Sequence, residues 1–328
     1  MQVSSGKQNR KFTRILFVTD VHGSDATFRK FVNAGRFYKA DIVILSGDIT
    51  GKVVVPVVRQ ADETYRCNLF AQEYTLRTEE ELREMEQRIA NVGYYSFRTT
   101  QSEIQEMITE ERSDQIFEHL ALERLRNWLR LAKSHLKDSG IKCMISPGND
   151  DFYEVDSVLN SDDFAVNSDS RVIKVDELHE MITIGHSNLT PWKCPRDVTE
   201  EELARLIDGL VSKVEDIHNC IFNIHVPPVN SGIDTAPKLD DSVYPPRRVI
   251  QGGEPVYIGV GSVAVRQAIE KYQPLLGLHG HIHESRGVIK IGRTTCLNPG
   301  SEYAEGVLRG VLVNISDRKV LSHQFTSG

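Results

Sequence analysis

Six short runs of apolar, largely β-branched residues stand out along the chain: RILFVT (14–19), DIVILS (41–46), IKCMIS (141–146), MITIG (181–185), CIFNI (220–224) and LLGLH (275–279). Continuous runs of this length, punctuated by Gly and Pro, predict buried strands. Thr199-x-x-Glu202 matches a capping box, and Leu203, Leu206, Ile207, Leu210 and Val214 behind it share one helical face that leads straight into CIFNI. Strand and helix alternate, which predicts an α/β fold. The tail segments GVIKIGRTTCLNPGS and RGVLVNISDRKVLSHQF alternate apolar and polar residues and predict closing strands, some of them antiparallel.

Residues 59–137 break this pattern. They hold one glycine (Gly93), no proline and a charged residue at roughly every third position, a composition that predicts helix. Thr78-x-x-Glu81 and Thr100-x-x-Glu103 mark two helix starts. Leu82, Met85, Ile89 and Val92 form one stripe, and Phe117, Ala121, Leu125, Trp128, Leu129, Ala132 and Leu136 a longer one that Gly140 can close. The expected organisation is a single domain over 1–328 with a helical insertion at 59–137, whose two ends emerge near the candidate site and allow it to act as a cap.

Five of the six runs end in residues able to bind metal: Asp20 and His22, then Gly47-Asp48, then Gly148-Asn149-Asp150, then His225, then Gly280-His281-Ile282-His283. In open α/β sheets the carboxyl ends of the strands line one edge where ligands bind, so residues more than 260 positions apart can converge there. Taken singly, each piece has a plain reading: Asp-x-His as a turn, His225 as a hydrogen-bonded core histidine. Their conjunction at five strand ends points to a metal site.

In this order the blocks closely resemble the calcineurin-like metallophosphoesterase family, whose pattern is D-x-H, GD, GNH, a lone H and G-H-x-H. The resemblance covers about 14–58 and 140–316, and Asn298-Pro299-Gly300-Ser301 looks like the NPGS loop of its smaller members. It implies two β-sheets packed face to face with flanking helices. It also implies a pair of divalent cations, one held by Asp20, His22, Asp48 and His283 and the other by Asp48, Asn149, His225 and His281, with Asp48 bridging. The implied activity is hydrolysis of phosphodiesters or phosphomonoesters by direct attack of a metal-bridging hydroxide, without a phosphoenzyme.

Two cations about 3.5–4 Å apart suit this chemistry because they generate a nucleophile at neutral pH and neutralise charge on both moving oxygens. Mixed carboxylate, amide and imidazole donors without thiolate point to Mn, Fe, Zn or Ni rather than to a structural zinc site. The chain departs from the family at one position: Asp150 stands where the family carries the histidine of GNH. An ionised aspartate donates no proton and repels a phosphomonoester dianion, which favours phosphodiesters and makes His279 the candidate substitute acid. His186, after MITIG, is a second histidine placed to line the site. Residues 226–256 are rich in Pro and Gly and begin at His225, so they are expected to form a substrate wall with Arg247 and Arg248 as phosphate contacts.

Charge and composition narrow the partners. Lys+Arg 39 against Asp+Glu 46 leaves a net charge of −7, which disfavours nucleic acid as the main partner but admits a small phosphate ester held by metal. No run reaches the ~18 apolar residues of a membrane span, and the start MQVSSGKQNR lacks the apolar centre of a signal peptide, so a cytoplasmic protein without a membrane partner is expected. Five scattered cysteines without a C-x-x-C pair read as reduced thiols. The alternative from another class is a non-catalytic scaffold that keeps this fold and binds a partner through the insertion. Seven intact ligand positions weigh against it.

Overall fold

Along β1 (Thr13–Val18) the side chains alternate between two cores: Ile15 and Phe17 enter one, Leu16 and Val18 the other. A strand with both faces apolar must be covered on both, and this requirement sets the layers of the whole molecule. The protein is seen here as a computed structural model that describes residues 12–110 and 112–328. The polar start, on which the expectation of no signal peptide rests, lies outside the described residues.

In chain order β1 is followed by α1 (Asp25–Phe37), β2 (Ile42–Ser46), β3 (Val54–Arg59), β4 (Tyr65–Leu69), β5 (Gln72–Leu76), α2 (Glu79–Asn91), β6 (Tyr95–Thr100), α3 (Gln101–Thr109), α4 (Ser113–Leu136) and β7 (Lys142–Ser146). Then come α5 (Val155–Ser161), β8 (Val166–Asn167), β9 (Val172–Lys174), β10 (Glu180–Ile184), α6 (Glu200–Val211), β11 (Ile221–Ile224) and α7 (Val263–Tyr272). The chain closes with β12 (Leu276–Leu278), β13 (Gly287–Ile291), β14 (Thr294–Asn298), β15 (Arg309–Ser316) and β16 (Lys319–Ser327). All six apolar runs form strands, and the alternating tail supplies the last four.

One sheet has the order β16-β15-β1-β2-β7-β8, parallel from β1 to β8 and antiparallel at β15 and β16. The other runs β13-β14-β12-β11-β10-β9, parallel inside with an antiparallel strand at each edge. Ile15, Phe17, Ile42 and Ile44 of the first sheet meet Met181, Ile221, Leu276 and Leu297 of the second. Outside the first sheet, Leu16, Val43 and Leu45 pack on α1 and α4, where the Phe28 ring stacks on Trp128 at 4.2 Å. Outside the second, Ile182, Phe222 and Ile224 pack on Leu203 and Ile207 of α6 and Val265 and Ile269 of α7. The result is the expected pair of face-to-face sheets between helices. Truncating a side chain such as Phe28 in these layers costs about 3–5 kcal/mol.

The insertion is not the helical unit that its composition predicts. Residues 65–76 form a β-hairpin, and β5-β4-β3-β6 make a separate four-stranded sheet. High charge here marks a solvated face: Cys67 and Leu69 point inward to Val55, Val57, Leu82, Met85 and Ile89, while Arg66 and Asn68 point out. The turn between β4 and β5 uses Phe70 and Ala71 at φ +54° and +61°, so neither Gly nor Pro announces it. Both capping boxes do form: the Glu81 amide donates to Thr78 Oγ1 at 3.1 Å, and the Thr100 amide donates to Glu103 Oε2 at 2.7 Å. The longer stripe belongs to α4, which covers the main sheet rather than forming part of a detached unit. Among the described residues no helix is long and apolar enough to cross a membrane.

Candidate metal centre

Strands β1, β2, β7, β11 and β12 each end just before one of the five motif blocks, and the structure gathers all of those blocks at one place. Asp20, His22, Asp48 and His283 each offer a donor atom within 4.8 Å of the others, and Asp48, His225 and His281 form a second such group. His22 Nε2 lies 3.1 Å from His283 Nε2 and 3.6 Å from Asp48 Oδ2, while His225 Nε2 lies 3.4 Å from Asp48 Oδ1. Asp48 thus turns one oxygen toward each group. Separations of this size are those of donors around a shared ion at bonds of ~2.0–2.2 Å.

The backbone is bent sharply to bring them together. Asp20, His22, Asp48 and His281 have φ of +54°, +40°, +43° and +65°, a region that costs a non-glycine residue about 1–3 kcal/mol. Hydrogen bonds hold the bends: the Asp20 amide donates to Gly47 O at 3.0 Å and the His22 amide to Asp48 O at 2.9 Å. Asn298 of the NPGS loop donates from Nδ2 to the carbonyls of Gly280 and Ile282, and Ser301 Oγ donates to Asp20 O at 2.6 Å. Glycine is sterically required at motif positions 47 and 148. A Cβ on Gly47 would lie 2.0 Å from His225 Nδ1, and one on Gly148 would lie 2.2 Å from Asp48 Oδ1.

Asn149 lines the cavity shared by these donors, and its orientation leaves an oxygen free. Its Nδ2 donates to Asp197 Oδ1 at 2.9 Å, which leaves Oδ1 buried without a hydrogen-bond partner. Asp20 Oδ1 and His225 Nε2 are likewise buried without one. Orphaned buried donors and acceptors are rare in folded proteins, and a cluster of them lined with carboxylate and imidazole fits divalent cations.

The charge balance agrees. Burial alone would raise the Asp20 carboxyl, but His225 and His283 bring it down to about 2. Asp48 is held well below its usual value by His225 and His22 in spite of burial. Burial lowers His22 to about 3 and His281 to about 4, while Asp48 and Asp20 overcome burial to raise His225 to about 9. Two buried carboxylates demand positive charge beside them, and a divalent cation supplies it.

A cavity of about 560 Å³ opens over these donors. Its walls come from 188–194 and from 236–261; of the expected wall, 226–256, Ala236, Pro237, Leu239 and Arg248 take part. No described residue between 53 and 148 lines the cavity, so the insertion does not wall the site as a cap would. It instead buttresses the metal loops from behind: Ser24 Oγ donates to Asn91 O at 2.6 Å and the Gly51 amide to Tyr95 Oη at 2.8 Å. His279 is fully buried, with Nδ1 2.8 Å from Ile224 O, and burial lowers it to about 4. It is a core histidine that does not line the cavity. His186 does not line the cavity either. Arg248 does, paired across its ribbon with Leu239, whereas Arg247 pairs with Asp240 and alternation turns it to the other face.

Asp150 lies at the site, but not as a lone charge. Its Oδ2 forms an ion pair with Lys52 Nζ and sits 3.9 Å from His22 Nδ1, and its amide donates to Asp48 Oδ1 at 3.0 Å. Burial and the charge of Asp48 raise its carboxyl, against the pull of Lys52. Lys52 escaped the sequence reading, although its place four residues after Asp48 was a usable signal. Two structural roles were missed as well. Fully buried Asp151 accepts from the amides of Gly148, Ile49 and Thr50 and so ties the second motif loop to the third. Arg196, 1% exposed, donates to the carbonyls of Asp151 and Phe152.

No family model matches the chain. An uncharacterized protein of Methanocaldococcus jannaschii, MJ1162, is 35% identical over 155 residues, which are 47% of this chain and 61% of that one; the match therefore spans less than two thirds of the relative's length. Among solved structures, TT1561 of Thermus thermophilus is 13% identical over 97% of this chain and 98% of that chain, with a TM-score of 0.52. A dimetal phosphatase from Danio rerio is a looser match, 11% identical over 96% of this chain and 99% of that chain, TM-score 0.44. TT1561 shares this chain's fold, and the order of the motif blocks along the chain is similar to that of the calcineurin-like metallophosphoesterases.

Proposed function

We propose that the protein is a hydrolase of small phosphate esters that works with two divalent cations, one for each donor group, and that phosphodiesters are its preferred class. The observation that carries the reading is the placement of Asp48 between the two groups, one carboxylate oxygen toward His22 and the other toward His225. When bound, such cations supply a hydroxide nucleophile at neutral pH and neutralise charge on the phosphoryl group.

The chain's own residues do the rest. Asp20, His22 and His283 hold one side of the centre and Asn149, His225 and His281 the other, with bends that are set before a substrate arrives. The carboxamide of Asn149 adds no negative charge beside an anionic ester. Arg248 lies on the rim, where a guanidinium can pair with a phosphate oxygen. Lys52 offsets the charge of Asp150, so charge alone does not separate diesters from monoesters. What supports that class is shape: the cavity has apolar walls from two separate segments, Leu189 with Trp192 and Pro237 with Ile258, which suit a phosphorus bearing two organic groups.

The test is to load the purified protein with Mn, Fe, Zn or Ni, count the bound ions by elemental analysis, and compare bis(4-nitrophenyl) phosphate with 4-nitrophenyl phosphate. Two ions per chain, faster turnover of the diester, and loss of both ions and turnover in Asp48→Asn are expected. Faster monoester turnover removes the diester preference. Absence of turnover with every metal favours the scaffold.

A further inference from the structure

We propose that Lys52 is a catalytic residue of this centre: its ammonium group, held in place by Asp150, meets the ester oxygen that leaves phosphorus. The inference rests on the phosphoesterase reading and goes beyond it by naming the group that acts where the family motif has histidine.

Four observations lead there. Lys52 and Asp150 line the same cavity as His22, Asp48, Asn149, His281 and His283. The backbone that leads to Lys52 is tied by hydrogen bonds: Asp151 accepts from the amides of Ile49 and Thr50, and the Gly51 amide donates to Tyr95 Oη. The side chain ends on Asp150 Oδ2, and Asp150 is itself fixed by its amide bond to Asp48 Oδ1 at 3.0 Å. Finally, the Lys52 side chain is 54% exposed, so the ammonium, which has three donors and gives one to Asp150, keeps others for a ligand.

In the reaction the bond from the attacking oxygen to phosphorus forms while the bond to the ester oxygen breaks. The electron pair leaves with that oxygen, and a solvent proton neutralises it afterwards. Lys52 keeps its own proton throughout and contributes by placing positive charge where negative charge develops, the preorganised kind of stabilisation that is worth about 10²–10³-fold for a single donor. Asp150 is a positioning residue: it holds the ammonium over the centre and offsets its charge in the resting protein. The family histidine and this lysine–aspartate pair would then meet the same need by different chemistry.

A stabilised leaving oxygen matters most when the leaving group is poor, and this separates catalysis from a merely structural ion pair. Lys52→Met and Lys52→Arg in Mn-loaded protein are to be assayed on aryl methyl phosphates ranging from 4-nitrophenol to phenol as leaving group. For Lys52→Met the expected loss is below about 5-fold on the nitrophenyl ester and on the order of 10²-fold on the phenyl ester, with partial recovery in Lys52→Arg. A second arm without turnover measures calorimetric binding of inorganic phosphate, expected to weaken about 10-fold in Lys52→Met at unchanged metal content. Equal loss across the ester series, or phosphate affinity that does not move, overturns the assignment of Lys52 while leaving the phosphoesterase reading intact. If the wild-type protein turns over no ester, that reading falls, and phosphate binding alone decides whether Lys52 faces an anion.

Discussion

Asn149 donates from Nδ2 to Asp197 Oδ1 at 2.9 Å, and because a carboxylate can only accept, this one bond decides which end of the amide faces the metal donors. Asp197 is in turn fixed through its other oxygen, which accepts from the amides of Thr190 and Cys194 and from Thr190 Oγ1. Asp197→Ala should therefore leave the fold intact and weaken metal binding by about 10–100-fold, the usual effect of losing an outer partner of a ligand. Competition with a coloured chelator measures it. Unchanged metal affinity would show that Asn149 needs no orientation.

Arg124 of α4 reaches across to the loop behind the centre, donating from Nη1 to Gly23 O and Tyr94 O, both at 2.8 Å, with its guanidinium 4.4 Å from the Tyr95 ring. Arg124→Met leaves two carbonyls without this donor and should cost about 2–4 kcal/mol in urea unfolding. Since Gly23 follows His22 directly, metal affinity should fall too. A stability loss with full metal affinity would mean that the buttress does not reach the site.

Remote from the centre, Asp176 accepts from Thr13 Oγ1 at 2.5 Å and from His179 Nδ1 at 2.8 Å. Burial would raise its carboxyl, but His179 and Thr13 hold it well below the usual range, so its contribution is complete above about pH 4 and is lost as pH falls through the lower folded value. For His179, burial acts downward and Asp176 outweighs it, so that contribution is complete below about pH 6.5 and is lost as pH rises through the raised folded value. The stability difference between wild type and Asp176→Asn should be about 2–3 kcal/mol near pH 5.5 and smaller by about 1 kcal/mol near pH 8.5. A difference independent of pH across that range would contradict the pairing.

Two exchanges of opposite chemistry should both stabilise. Gly209 sits in α6 with nothing within 4 Å of an added Cβ, and Gly209→Ala should gain about 0.5–1 kcal/mol of helix propensity. Ala71 occupies the left-handed region at φ +61° in the hairpin turn, and Ala71→Gly should relieve about 1 kcal/mol. Thermal unfolding of the two variants reads both; a lower midpoint in either one refutes that half.

The strands and the donors were legible because their signals are local and dense. A buried parallel strand must be apolar along its length, and a ligand must be Asp, His or Asn, so RILFVT followed by Asp20 and His22 announces both. The hairpin at 65–76 was not legible, since its turn is built from Phe70 and Ala71 and its charges say only that one face meets water. His279 looked eligible because a sequence shows that an imidazole exists without showing which way it points.

What the amino-acid order settled by itself was the alternation of strands and helices and the presence of seven donor residues at strand ends. What needed the folded molecule was everything that depends on direction: that Lys52 meets Asp150, that Asp197 turns the amide of Asn149, that the insertion stands behind the loops and not over them. Periodicity along a chain reports which faces are buried, because burial follows from apolar surface alone. The partner of a polar side chain is chosen by packing among residues scores of positions away, and only three-dimensional proximity makes that choice.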